Sequence, residues 1–233
     1  AWPSGSTITY GQTLADSALT GGGASVPGTF AWTTPTTAPS AGPASYSVTF
    51  TPNDTVNYST VTDTASVAVN KATLTITADD KTGIYGQALP ALTVSYGGWV
   101  NVDTDTSLSA TATASTTATA TSPVGSYPIT ASGAVVNSNY IINYLAGTLI
   151  IGQAGQTLAI SSAAPASAKV GGSYAVTTTP GGSTKPVALA VTGNCSLSGS
   201  TVSFDAYGSC TVTASQKGDA NYLDATDVSQ TFS

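Results

Sequence analysis

An Asn-Tyr pair stands at Asn57-Tyr58, Asn139-Tyr140 and Asn221-Tyr222, and the step from the first pair to the second equals the step from the second to the third. A spacing that returns in register marks stacked structural units, each copy burying its own small core. The surrounding residues keep the same beat. Tyr46, Val48 and Phe50 run ahead of Asn57 at alternate positions. Cys210, Val212 and Ala214 lie at the same distances before Asn221, and Tyr127, Ile129 and Ala131 lie one place further from Asn139. Alternation with period two is the mark of a strand with one buried face. A glycine precedes each of these strands, at Gly42, Gly125 and Gly208. Downstream, Ala65, Val67 and Val69 alternate, as do Leu149 and Ile151; Val228 and Phe232 close the third copy slightly out of step.

Each repeat therefore ends as strand, Asn-Tyr turn, strand. The Asn is expected to hold the turn in left-handed geometry, which Asn tolerates. The Tyr is expected to open the last strand and cover the end of the core with its hydroxyl on backbone, like the tyrosine corner of immunoglobulin sandwiches. A second phrase marks the repeat openings. Tyr10-Gly11-Gln12 and Tyr85-Gly86-Gln87 are matched in the third repeat only by Val170 to Tyr174.

These markers place the repeats at 1–70, 71–151 and 152–233. The joints are short and poor in Pro and Gly, which restricts hinging. Fewer residues precede Tyr10 than separate Lys71 from Tyr85. The opening strand of the first repeat is therefore expected to be incomplete, either because a tandem array is cut there or because another chain supplies it. Ala1-Trp2-Pro3 reads as a point inside a longer protein or a processed start. The Ala/Thr-rich stretch after Asn101 reads as a strand with a small-residue face, preceded by a helical turn over 103–108.

Composition sharpens the fold class. Charged residues make up 7%, against roughly 25% in ordinary soluble domains. Arg, Glu, His and Met are absent, while Thr and Val are abundant. Strand formers thus dominate over helix formers. The expectation is an all-β chain: three tandem small β-sandwiches in an elongated array, with little helix. A net charge of −6 and five scattered Lys leave no basic face for nucleic acid and no polybasic patch for a membrane surface. No apolar run reaches the roughly 20 residues of a membrane helix.

Few residue sets carry chemistry. Without His, the usual triads and His-based acid–base catalysis are excluded. Asp79-Asp80 are sequence neighbours, so on a strand they face opposite ways and form no carboxylate dyad. Cys195 and Cys210 fit one core if the strand through Val187, Leu189 and Val191 is unbroken. That favours a disulfide over two buried thiols, and a disulfide places the chain outside the cytoplasm. Asn101, Asp103 and Asp105 are spaced by two, a pattern that can offer oxygen ligands to Ca²⁺; a helix N-cap or solvated turn is favoured, because the glycine and distal Glu of an EF-hand are missing. Lys71 and Lys169 are the candidates for an intramolecular isopeptide bond, which requires burial. Asn53, Asn57 and Asn194 fit the glycosylation acceptor pattern, which arises by chance in a Ser- and Thr-rich chain. Phe30 and Trp32 read as core, and Trp99 as a packed cap rather than a sugar platform.

The stretch from Lys71 to Ile151 resembles the MBG domain of the YGX type, a module repeated in very large bacterial surface proteins. The resemblance rests on Tyr85-Gly86-Gln87, Val100-Asn101 with Asp103-Thr104, Val124 to Pro128 and Asn139-Tyr140. Val102 stands where the family often has Gly. The flanking repeats resemble related bacterial immunoglobulin-like modules through Ile8 to Gln12, Gly28 to Pro35 and Ser47 to Tyr58, and through the two stretches that carry Cys195 and Cys210. The resemblance implies a stalk or spacer in an adhesin on the bacterial cell surface, and it supplies no catalytic residues or cofactor. Partners would be neighbouring repeats or subunits of the same fibre, with any surface ligand met by regions outside this chain. The alternatives are a filament subunit completed by strand donation and a glycan- or protein-binding module.

Overall fold

A computed structural model describes all 233 residues. The chain is all-β. Its strands form seven small sheets, and the only helical elements are the 3-10 turns Leu14–Asp16 and Asp105–Ser107. It divides into two compact units. The first holds Ala1–Asp80, Leu92–Thr116 and Pro128–Thr148; the second holds Lys81–Ala91, Thr117–Tyr127 and Leu149–Ser233. The division runs through the middle repeat, so each joint between repeats lies within one unit.

In the first unit, strand Gly42–Pro52 pairs antiparallel with Gly28–Trp32 on one side and with Val61–Asn70 on the other. Ile8–Thr9 adds a parallel edge to Val61–Asn70, with Ile8 opposite Val69. Alternation drives Val48, Ala65, Val67 and Val69 into a core with Ile8, Leu14 and Trp32. Trp32 is buried with its polar end satisfied, because its indole Nε1 donates to the Ser17 carbonyl at 2.7 Å. The facing sheet is slight. Ser4–Gly5 pairs with Leu19–Thr20, and Ala1 continues that ladder by exchanging hydrogen bonds with Gly23. The first repeat thus has an opening strand, but a short one.

The counterpart in the middle repeat is longer. Ala72–Ala78 pairs in parallel with Tyr140–Leu145 and antiparallel with Val94–Gly97. Leu74 and Ile76 on its inner face are fully buried. Each such side chain contributes about 1.5–3 kcal/mol of hydrophobic stabilisation. Of the Ala/Thr-rich stretch, Thr113–Thr116 is a strand, antiparallel to Ile129–Ser132.

In the second unit, Lys81–Ile84 pairs in parallel with Leu149 to Gly152. Cys210–Gln216 lies between Val187–Gly193 and Val228–Phe232, and Thr201–Phe204 lies between Ser173–Ala175 and Cys195–Ser198. Tyr174, Val176, Val202, Phe204, Cys210, Val212 and Phe232 form the core between them. The Cys195–Cys210 disulfide, with Cα atoms 5.7 Å apart, staples one sheet to the other. The strand through Val187, Leu189 and Val191 does not run on unbroken into Cys195: Gly193 has a φ of 99°, and the chain changes sheet before Cys195. Closing a loop of this size contributes about 3 kcal/mol. Gln216 is buried yet fully engaged. Its Nε2 donates to the Ser183 and Lys185 carbonyls, and its Oε1 accepts from the Gly181 N–H.

Candidate functional site: the joints between repeats

The repeat markers converge. Tyr10, from the Tyr-Gly-Gln phrase of the first repeat, packs edge-on against Tyr140, from the Asn-Tyr pair of the second; their ring centroids are 5.4 Å apart and their planes 82° apart. Tyr85 of the second repeat packs against Tyr222 of the third at 5.5 Å and 81°. The Asn of each receiving pair reaches the same backbone position on the giving repeat. Asn139 Oδ1 accepts from Ala41 N–H at 2.9 Å, and Asn221 Oδ1 accepts from Val124 N–H at 3.1 Å. Both donors stand just ahead of the marker glycines Gly42 and Gly125. The covalent link is held alike: Tyr10 N–H donates to Asn70 O, Tyr85 N–H to Gly152 O, Ala72 N–H to Asn139 O and Ala154 N–H to Asn221 O.

These observations correct the expected role of the Asn. None of Asn57, Asn139 and Asn221 is left-handed; the only non-glycine residue with positive φ is Asn101. A different residue closes each turn. Asp54 Oδ1 accepts from Asn57 N–H, Asn137 Oδ1 from Asn139 N–H, and Asp219 Oδ1 from Asn221 and Tyr222 N–H. With the turn closed two or three residues upstream, the amides of Asn139 and Asn221 are available to the neighbouring repeat. The sequence signal was present as an Asp or Asn just before each pair.

The first joint is built around a carboxylate. Asp103 Oδ2 accepts from the Tyr10 hydroxyl at 3.0 Å and the Tyr140 hydroxyl at 2.8 Å, while Oδ1 accepts from Ser107 Oγ at 3.2 Å. Val100 N–H donates to the Tyr140 oxygen, and the Trp99 ring packs edge-on to Tyr140 at 5.4 Å. Burial, reinforced by the neighbouring Asp103 carboxylate, pushes the Tyr140 phenol up to about 12. Gly11 is required twice over: its φ is 103°, and an added Cβ would sit 2.7 Å from Val100 Cβ.

The second joint is braced by amides. Gln153 Nε2 donates to the Asp219 carbonyl at 2.8 Å, and Gln156 Nε2 to the Leu223 carbonyl at 2.8 Å. Gln156 Oε1 accepts from Ser183 N–H. Asp219 Oδ2 accepts from the N–H and hydroxyl of Thr184. Backbone N–H groups, Thr184 first, hold the Asp219 carboxyl down to about 2.

The other candidate residues find other places. Of the three oxygens considered for Ca²⁺, Asp103 holds the tyrosine hydroxyls, Asp105 begins the 3-10 turn capped by Thr104, and Asn101 takes the left-handed position. Val102, where the related modules often have Gly, is an exposed side chain, because its neighbour Asn101 makes the turn. Nowhere do three or more His, Cys, Asp or Glu side chains gather as a metal-binding group. Lys71 and Lys169 are both exposed, which removes the burial an isopeptide bond needs. Asp79 accepts from the Thr93 hydroxyl and Asp80 from Thr148 N–H, so the two carboxylates serve separate backbone segments. Phe30 is half-buried, packed on Trp2 and Phe50 rather than sealed in the core.

No curated protein sequence matches this chain. Among solved structures, mouse cadherin-23 EC22-24 is 10% identical over 93% of this chain and 91% of that one, with a TM-score of 0.28. The I9-I11 tandem of titin is 11% identical over 99% and 95%, with a TM-score of 0.21. The family model of the MBG domain (YGX type) matches residues 74–150, and the middle repeat, which gives Tyr85 to one joint and receives Tyr10 at the other, is a domain of that family.

Proposed function

We propose that this chain is a load-bearing spacer in a long bacterial surface protein, built of modules 1–70, 71–151 and 152–233. The MBG domain is a structural repeat module of surface proteins. The observation that carries the reading is the joint itself, made twice with the same Tyr-on-Tyr contact and the same Asn-to-backbone hydrogen bond. A spacer needs successive modules to be tied to one another as well as folded. The disulfide supports an oxidising, extracellular location. The work assigned is mechanical.

Single-molecule stretching tests this reading. Unfolding in separate steps is expected, each releasing up to roughly 250–300 Å for a module of about 80 residues, and less in the third module because the disulfide locks a loop. A chain that extends at negligible force sinks the spacer reading.

A second reading is a filament subunit completed by strand donation. Its support is the opening strand of the first repeat, which pairs on one side only, whereas Ala72–Ala78 pairs on both. Uniform fibres of the purified chain in electron micrographs would favour it; monodisperse monomers at high concentration would remove it.

A further inference from the structure

The joint has a receiving half and a giving half, and the first repeat carries a receiving half that nothing in this chain fills. In the middle repeat the receiving half consists of Asn139-Tyr140 together with Trp99-Val100. The first repeat has the same parts: Asn57-Tyr58, and Ala24-Ser25, which stand at the same offset from Tyr10 as Trp99-Val100 from Tyr85. They are brought together in the structure, where Ala24, Ser25 and Tyr58 line a cavity of about 400 Å³ whose apolar wall includes Trp2, Phe30 and Val61. Ala24 in place of Trp99 explains the room, since no indole packs over Tyr58 as Trp99 packs over Tyr140. The tyrosines report the difference. Tyr140 is 4% exposed and Tyr58 is 50% exposed. The Asn57 amide donates to Asp54 Oδ2 at 2.7 Å, which leaves its carbonyl oxygen pointed to no donor, where Asn139 and Asn221 each take a backbone N–H from the repeat before.

We propose that this cavity is a socket for the Tyr-Gly turn of a further module of the same kind, placed ahead of Ala1 on the same polypeptide. Both filled sockets take the turn of the module immediately preceding in the chain, which selects this source over a second copy. A second copy would also offer a poorer plug. The third repeat has Val170-Gly171 where the others have Tyr-Gly, and Gly171 keeps the positive φ of Gly11 and Gly86 while the ring is missing. The docked Tyr ring would meet Tyr58 edge-on over the Trp2, Phe30 and Val61 wall, and the backbone N–H ahead of that module's marker glycine would reach Asn57 Oδ1.

The inference rests on the spacer reading and extends it to the N-terminal face. The test is an extended chain with a second copy of residues 71–155 fused directly ahead of Ala1. Strand register sets this length: Leu19 and Val94, equally far beyond the marker Tyr of their repeats, pair with Gly5 and Ala78, so Ala1 takes the place of Leu74 and the copy's Ala154 falls in the place of Ala72. The readout is nitration of Tyr58 by tetranitromethane, mapped by mass spectrometry, with the 91% exposed Tyr207 as internal control. Nitration of Tyr58 is expected to slow at least fivefold relative to the parent chain, and Tyr85→Ala in the added copy is expected to restore it. A second extended chain, carrying a copy of residues 1–155, gives the added middle repeat its own docked neighbour and guards against its failing to fold. Unchanged Tyr58 reactivity in both extended chains overturns the proposal. So does a parent chain whose Tyr58 becomes protected as its own concentration rises, which would assign the socket to a second copy. Either result leaves the Tyr10–Tyr140 and Tyr85–Tyr222 joints standing, so it is distinguishable from failure under force.

Discussion

At the first joint two tyrosine hydroxyls converge on Asp103, whereas at the second the hydroxyls of Tyr85 and Tyr222 find no protein partner and the amides of Gln153 and Gln156 brace the receiving turn. The ring-on-ring contact and the Asn-to-backbone bond are common to both. What is shared fixes how repeats meet; what differs sets the conditions under which each joint holds. The first depends on a carboxylate and on the Tyr140 phenol staying neutral. The second depends on backbone amides gathered by a carboxylate and two glutamines.

The sharpest way to break this comparison is Asp103→Ala. It removes the acceptor of two charge-assisted hydrogen bonds and leaves the buried Tyr140 hydroxyl without its carboxylate. A loss of about 3 kcal/mol is expected at the first joint. It should appear as faster hydrogen exchange at the Ala41 and Val100 amides, with Val124 and Asn221 at the second joint unchanged. Equal loosening of both joints would mean that they are not independently braced.

Alkali should act on the same joint, with a slightly smaller effect. The folded chain raises the Tyr140 pKa from 10.0 to about 12, chiefly by burial, so folding favours the neutral phenol. The associated stability is present in full below pH 10 and is lost as the pH rises toward 12. The loss is on the order of 2–3 kcal/mol. In denaturant titrations Tyr140→Phe is expected to flatten that part of the pH profile while lowering stability at neutral pH. A profile of unchanged slope would remove Tyr140 as its source.

A milder pair of substitutions sharpens the contrast at the giving side. Tyr10→Phe deletes a hydroxyl that donates to Asp103, and about 1 kcal/mol should be lost. Tyr85→Phe deletes a hydroxyl without a protein partner and keeps the ring on Tyr222, so the change should stay within about 0.5 kcal/mol. Equal losses from the two would show that the rings alone set the strength of a joint.

How much of this was legible in the sequence follows from the range of the interactions. The strands around Val48, Ile129 and Val212 announce themselves by alternation, because burying one face of a strand is a local pattern. The even spacing of the Asn-Tyr pairs placed Tyr140 and Tyr222 as equivalents. Periodicity could not pair Tyr10 with Tyr140, since a contact between residues so far apart in the chain leaves no local trace. Propensity alone favours a left-handed Asn in these turns, but Asp54, Asn137 and Asp219 close them instead. The spacing of Asp103 suggests an oxygen ligand for a metal; its actual partners come from Tyr10 and Tyr140, far away in sequence.

The smallest expected effect separates the joints at the opposite end of the pH scale. In the first joint the receiving turn is closed by Asn137, an amide that does not titrate; in the second it is closed by Asp219, a carboxylate. Backbone N–H groups from Thr184, Asn221 and Tyr222 hold Asp219 down to about 2, below its usual 3.8. A depressed carboxylate stabilises the fold above the unfolded value and loses that contribution as the pH falls through the folded one. The second turn should therefore slacken from about pH 4 down to pH 2. Because the carboxylate is open to water, the slackening should be local. In NMR titrations the amide shifts of Thr184, Asn221 and Tyr222 are expected to move together with a midpoint near 2, and Asp219→Asn should abolish that movement. The Asn139 amide, held by Asn137, should show no transition from its own turn. An acid transition at Asn139 that shares the Asn221 midpoint and survives Asp219→Asn would mean that the turn residue does not set the acid response, and the contrast between the two turns would fall.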